Sequence, residues 1–81
     1  MTNIGAAKPK AGSYVACINS TQDDIDLIVG KIYRVHRAEE NDPGTMLRIV
    51  DESGEDYLYP TSWFVPMEVP PRVKRALAAV K

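Results

Sequence analysis

Nucleophiles and soft metal ligands are scarce in this chain of 81 residues, which holds one cysteine, Cys17, and one histidine, His36. A lone cysteine forms no internal disulfide, and with a single imidazole beside it no four-ligand zinc site can be assembled. No apolar run nears the roughly 20 residues that span a bilayer. The patterns G-x-S-x-G, Walker A, HExxH and GxGxxG are all missing. The fold is therefore expected to stand on packing alone. A chain this short buries only about 60 to 65% of its unfolded surface, so one modest core is available and a deep cleft between domains is not. The opening MTNIGAAKPKAGS has no apolar stretch of the signal-peptide kind, and an unpaired cysteine suits a reducing compartment, so a cytoplasmic protein is expected.

Net charge is also nearly absent, with ten Lys and Arg against eleven Asp and Glu. Its placement is uneven. All eleven acids lie within residues 23–68, where Lys31, Arg34, Arg37 and Arg48 are the only bases, a balance of −7. The other six bases, Lys8, Lys10, Arg72, Lys74, Arg75 and Lys81, sit at the two ends. An acidic body with basic ends lacks the positive groove that supplies most non-specific affinity for nucleic acid, yet it can steer a basic protein partner.

What the chain does contain is a succession of short β-prone segments separated by turn residues. Residues 1–12, with Gly5, Pro9 and Gly12, read as a flexible leader. A β-barrel domain is expected over residues 13–69 and a helix over residues 70–81. YVACIN (residues 14–19) reads as a first strand, and STQDD after it as an acidic loop, because its hydroxyls and carboxylates compete for backbone groups. In IDLIVGKIYRVHR, Ile25, Leu27 and Val29 alternate along one face, and Tyr33 and Val35 share a face beyond Gly30. The pattern predicts two extended pieces with the glycine at a bulge or bend. Asp42-Pro43-Gly44 predicts an exposed hairpin tip.

MLRIVD (residues 46–51) and DYLY (residues 56–59) flank a turn, Glu52 to Glu55, that suits a type I turn followed by Gly54 in the left-handed region. Leu47 and Ile49 share one face and Met46 and Val50 the other, as on strands with partners on both sides. Pro60-Thr61-Ser62-Trp63 predicts a single helical turn, and FVPMEV a last strand that Pro66 restricts to an edge. Pro70-Pro71 then opens a helix whose Val73, Leu77 and Val80 form a narrow apolar stripe. About 11 residues make a marginal helix in water, so the stripe is expected to dock on the barrel, or else on a partner protein or a second copy of the chain. Three aliphatics are too few for membrane association.

Five short strands, a helical turn and a terminal helix predict a mainly β fold closed as a small barrel. The segments LIVGKIYRV (residues 27–35), LRIVDESGEDYLYP (residues 47–60) and SWFVPMEVP (residues 62–70) resemble small bacterial and phage proteins with a Src-homology-3-like β-barrel, most of them uncharacterised. The resemblance covers roughly residues 14–70 and implies the fold. It lacks the ALYDY-type tyrosine motif and the adjacent tryptophan pair of the domains that bind proline-rich peptides.

Candidate sites follow from the residues left over. A thiol enzyme would use Cys17 with His36 as its base, but a packing cysteine and a surface histidine explain the same residues, and no enzyme is expected. The carboxylates of residues 23–26 and 51–56 lack the spacing that wraps a calcium ion, so neither metal nor cofactor is expected. Tyr33, Tyr57, Tyr59, Trp63 and Phe64 offer stacking surfaces for bases, but a core this small consumes most of its aromatics. The expected function is a non-enzymatic protein-interaction module. Its partner surface combines Tyr57, Tyr59 and Trp63 with Asp23, Asp24, Asp51 and Glu55, and takes a basic or aromatic-accepting protein or peptide segment. The alternative is nucleic-acid binding through Arg72, Lys74 and Arg75 of the terminal helix.

Overall fold

A computed structural model describes residues 8–21, 23 and 25–79. Five antiparallel strands form one sheet in the order β4-β3-β2-β1-β5, with β1 at Tyr14–Cys17, β2 at Ile32–Val35, β3 at Met46–Val50, β4 at Asp56–Pro60 and β5 at Phe64–Met67. A 3₁₀ turn, Thr61–Trp63, precedes β5, and one short helix, α1, occupies Pro71–Ala79. The molecule is mainly β, as the patterning predicts. No helix among the described residues is long and apolar enough to cross a membrane.

The ladder is open, since β4 and β5 are its two edges and each pairs on one side only. Those edges are nonetheless close. Flat, five strands would hold them about 19 Å apart. The chain passes from Pro60 to Phe64 through three residues, a reach of at most about 14 Å. The sheet must coil to make that connection, and the rings confirm it: Tyr59 lies 6.2 Å from Trp63 and 6.3 Å from Phe64. Pro66 stands opposite Val15 on edge strand β5, where its missing N–H costs no ladder bond on the outer side.

The concave side of this coil holds the core. Val15 and Cys17 of β1, Tyr33 and Val35 of β2, Leu47 and Ile49 of β3, Tyr59 and Phe64 pack with Leu27, and Trp63 leans on the group from its rim. Val15 and Ile49 are fully inaccessible, and each such aliphatic side chain contributes about 1.5 to 3 kcal/mol of burial. Leu47 and Ile49 lie together as their alternation predicts, with Met46 and Val50 on the outer face only half-buried. The turn between β3 and β4 also takes the expected form. Gly54 has φ of 86° and its N–H bonds to the Asp51 carbonyl, while Asp51 N–H reaches the Glu55 carbonyl.

One local expectation fails, and it concerns the segment before β2. Residues 25–29 are not a strand: Leu27 is buried, whereas Ile25 is 83% and Val29 56% exposed. The segment turns at Ile28 to Lys31, closed by the Lys31 N–H on the Ile28 carbonyl, with Gly30 at φ 93° in the position a type II turn reserves for positive φ. Around Asp42-Pro43-Gly44 two turns follow each other, closed by Asp42 N–H on the Glu39 carbonyl and by Met46 N–H on the Pro43 carbonyl. Of the leader, residues 1–7 lie outside the described residues. Lys8 Nζ donates to the carbonyls of Pro43 and Met46, and Gly12 N–H to that of Val35.

Helix α1 returns over the outer face of the sheet. Tyr14 points away from the core yet is buried, and with Ile32, Arg34 and Val50 of the sheet and Leu77 and Ala78 of α1 it lines an open cleft of about 740 Å³. Docking is slight: no residue of α1 is buried, and Val73 is 45% exposed. Val80 of the predicted stripe lies outside the described residues.

Candidate functional site

The long connection from β1 to β2 is the most distinctive surface of the molecule. At its base the two arms are pinned by Cys17 N–H on the Lys31 carbonyl and Gly30 N–H on the Cys17 carbonyl, which sets Ile18 and Val29 facing one another just beyond the strands. Ile18 N–H also donates to the Trp63 carbonyl, so the loop base abuts the 3₁₀ turn. Further out, Leu27 plugs the core. Tyr33 reaches up from β2 beneath this plug. Its hydroxyl accepts from Ile28 N–H at 2.8 Å and donates to Glu52 Oε2 at 2.6 Å. Lys31 Nζ meets the same carboxylate oxygen at 2.9 Å, and Glu52 N–H bonds to the Asp26 carbonyl.

These bonds place the two acidic segments side by side. The Asp26 end of the β1–β2 loop lies against the β3–β4 turn, with Asp23 and Glu55 exposed. Backbone anchoring leaves the side chains Ile18, Ile25, Ile28 and Val29 projecting into water. The Tyr33 hydroxyl bond, with Lys31 second, holds the Glu52 carboxyl below its usual range, while burial and then Glu52 push the Tyr33 phenol up. Glu52 is thus a fixed anion that ties loop to turn.

The sequence-predicted partner residues divide. Tyr59 and Asp51 are not surface groups: both are buried, and the Tyr59 hydroxyl donates to Asp51 Oδ2 at 2.7 Å while Ser53 N–H and hydroxyl satisfy Oδ1. Trp63 stands in the 3₁₀ turn at the rim of the core and meets the Tyr59 ring at 6.2 Å, whereas Tyr59 joins Asp51 inside the hairpin. A buried carboxylate is tolerable there because each oxygen has a donor. Tyr57 is half exposed on edge strand β4, and Trp63 shows part of its ring. Asp24 lies outside the described residues. Of the five aromatics considered as a stacking platform, Tyr33, Tyr59 and Phe64 belong to the core.

Asp42 and Asp56 are committed elsewhere. Arg48, on the outer face of β3, holds Asp42 with two bonds of 2.7 and 3.0 Å, Asp56 at 2.8 Å and Glu39 at 3.3 Å. The guanidinium keeps both aspartates below the usual carboxylate range, and the Glu39 N–H adds to this at Asp42. This cluster clips the β2–β3 loop to the sheet. Arg72, Lys74 and Arg75 are exposed along α1.

Cys17 and His36 do not form a pair. Cys17 is buried beside Lys31, its thiol donating to the Asn19 carbonyl at 3.2 Å, whereas His36 follows Val35 at the opposite end of β2 and turns toward Arg37 and Asp56. No cluster of metal-ligating side chains occurs among the described residues. The four exposed aliphatics of the β1–β2 loop were missed in the sequence, where Ile18 falls in the first predicted strand and the alternation of Ile25, Leu27 and Val29 looks like another. The signal available was Gly30 directly after them, which ends the segment in a turn. Compared with known proteins, the chain matches no family model, no curated protein and no solved structure.

Proposed function

We propose that this chain is a non-enzymatic, Src-homology-3-like small barrel of the cytoplasm that binds a basic, apolar protein segment on its β1–β2 loop. The observation that carries the reading is the loop itself: Ile18, Ile25, Ile28 and Val29 exposed on an anchored backbone, beside Asp23, Asp26 and Glu55. Aliphatic side chains grouped in this way on a fixed frame are the signature of a contact surface rather than of scattered surface residues. Acidic neighbours select a basic partner and speed its approach. The barrel reading draws support from the coiled sheet, the 3₁₀ turn before β5 and the return of β5 beside β1.

The test is a titration of isotope-labelled protein with a lysine- and leucine-rich peptide. The amides of Ile18, Ile25, Ile28 and Val29 and the Trp63 indole shift together, and Asp23→Asn with Asp24→Asn weakens binding about three- to tenfold, as expected for the loss of two charges that attract a basic peptide. Shifts confined to other surfaces refute the assignment. A second reading, binding of nucleic acid, is favoured by the exposure of Arg72, Lys74 and Arg75. It requires retention on a DNA or RNA column that falls with salt and vanishes when those three residues are replaced by alanine.

A further inference from the structure

Nine large apolar side chains are exposed among the described residues, and eight of them fall into two groups of opposite charge. Ile18, Ile25, Ile28 and Val29 stand on the acidic β1–β2 loop. Ile32, Val65 and Met67 stand on the outer face of the sheet and Val73 on α1, where the bases Lys31, Arg34, Arg72, Lys74 and Arg75 outnumber the acids Glu52 and Glu68. The register makes this second patch continuous. Ile32, Ala16 and Val65 form one cross-strand row, and Arg34, Tyr14 and Met67 the next. Of α1, Leu77 and Ala78 line the cleft on this face beside Ile32 and Arg34, away from Val65 and Met67. The two patches adjoin at the Lys31–Glu52 ion pair, since Glu52 also lines the cleft on the outer face.

From this layout we infer that the chain pairs with a second copy of itself, the acidic loop of each protomer lying on the basic outer face of the other. Two adjoining patches of opposite charge and similar apolar content are self-complementary about a two-fold axis through their border. Rotation by 180° there lays loop on face and face on loop, closing a dimer with two equal contacts. The same axis placed within either patch sets like charges against each other, which removes a face-to-face or loop-to-loop arrangement. The apolar groups covered on each side are those the fold leaves in water. The loop half of this interface rests on the loop being a contact surface for basic partners, as proposed above; the outer-face half is new.

The experiment is a charge exchange read by sedimentation or light scattering at low salt. The wild-type chain reaches twice its monomer mass on concentration from about 10 μM to about 1 mM, the range of weak interfaces, and returns to monomer in high salt. Loop variant Asp23→Lys with Asp26→Lys, and helix variant Arg72→Glu with Lys74→Glu and Arg75→Glu, are each monomeric across that range. Mixed together they form a one-to-one dimer, because the exchanged loop now meets the exchanged face. The altered α1 positions are exposed, and Arg34→Glu replaces the helix variant if its circular dichroism departs from wild type. A wild-type chain that stays monomeric overturns the inference, as does a wild-type dimer with no rescue in the mixture. Binding of the lysine- and leucine-rich peptide to a monomeric wild-type chain leaves the loop reading standing and rejects only self-pairing.

Discussion

Removing one oxygen atom, in Tyr33→Phe, tests how the candidate surface is held. The Tyr33 hydroxyl makes two bonds, one from the neutral Ile28 N–H and one to the ionised Glu52 carboxylate. Bonds of these kinds contribute about 0.5 to 1.5 and about 1.5 to 3 kcal/mol. The second figure is too large here, because the Glu52 side chain is 30% exposed and keeps Lys31 at 2.9 Å, so water and the ammonium make up much of the loss. The ring stays in the core, and no cavity opens beyond the hydroxyl itself. The expected cost is about 1 to 2 kcal/mol in urea unfolding, or roughly 5 to 15 °C in Tm for a domain of this size. A local effect distinguishes this bond from ordinary core loss. The Ile28 amide loses its acceptor, so its hydrogen exchange accelerates more than that of the Ile49 amide at the sheet centre. The Glu52 carboxyl, freed of its first donor, titrates closer to the ordinary range of about 4.3. Peptide affinity of the loop falls with its order. An Ile28 amide that exchanges as slowly as before, with unfolding unchanged within about 0.3 kcal/mol, refutes the claim that Tyr33 anchors the loop.

Two further outcomes are expected. Glu52, Asp42 and Asp56 all have folded-state carboxyls held below the usual range, so the stability they add is complete above about pH 4 to 5 and is lost as pH falls through their depressed values. Unfolding midpoints measured down to pH 2 therefore drop on the acid side. Arg48→Met flattens that drop by releasing the two aspartates; an unchanged acid slope counts against the Arg48 cluster as its source. Cys17, buried and bonded to the Asn19 carbonyl, is alkylated at neutral pH at a rate that rises with denaturant. Rapid native-state alkylation contradicts its role as a packing residue and reopens the thiol chemistry.

How far the sequence could be read depended on whether a residue's fate is settled locally. The β3–β4 hairpin was legible because alternation, Ser53-Gly54 and the flanking tyrosines all act within fifteen residues. Pro66 marked an edge for an equally local reason, its missing donor. Residues 25–29 misled because periodicity reports which side chains are apolar, not which find a core. Leu27 does, and the turn at Gly30 leaves its neighbours outside. Asp51 and Tyr59 looked like surface groups for a similar reason. A carboxylate is driven outward unless several donors converge on it, and here Ser53 and Tyr59 converge only once the hairpin has closed. The outer-face patch could not be seen, because Ile32, Arg34, Val65 and Met67 become neighbours only through strand pairing.

The pairing of β1 with β5 joins Tyr14 to Met67, residues far apart in sequence, while the β3–β4 hairpin closes between near neighbours. During synthesis the hairpin can zip as soon as it clears the ribosome, whereas β1 must wait, one flank unpaired, until β5 about fifty residues later has emerged. For that interval the nascent protein displays a bare apolar strand, and α1 follows only after β5.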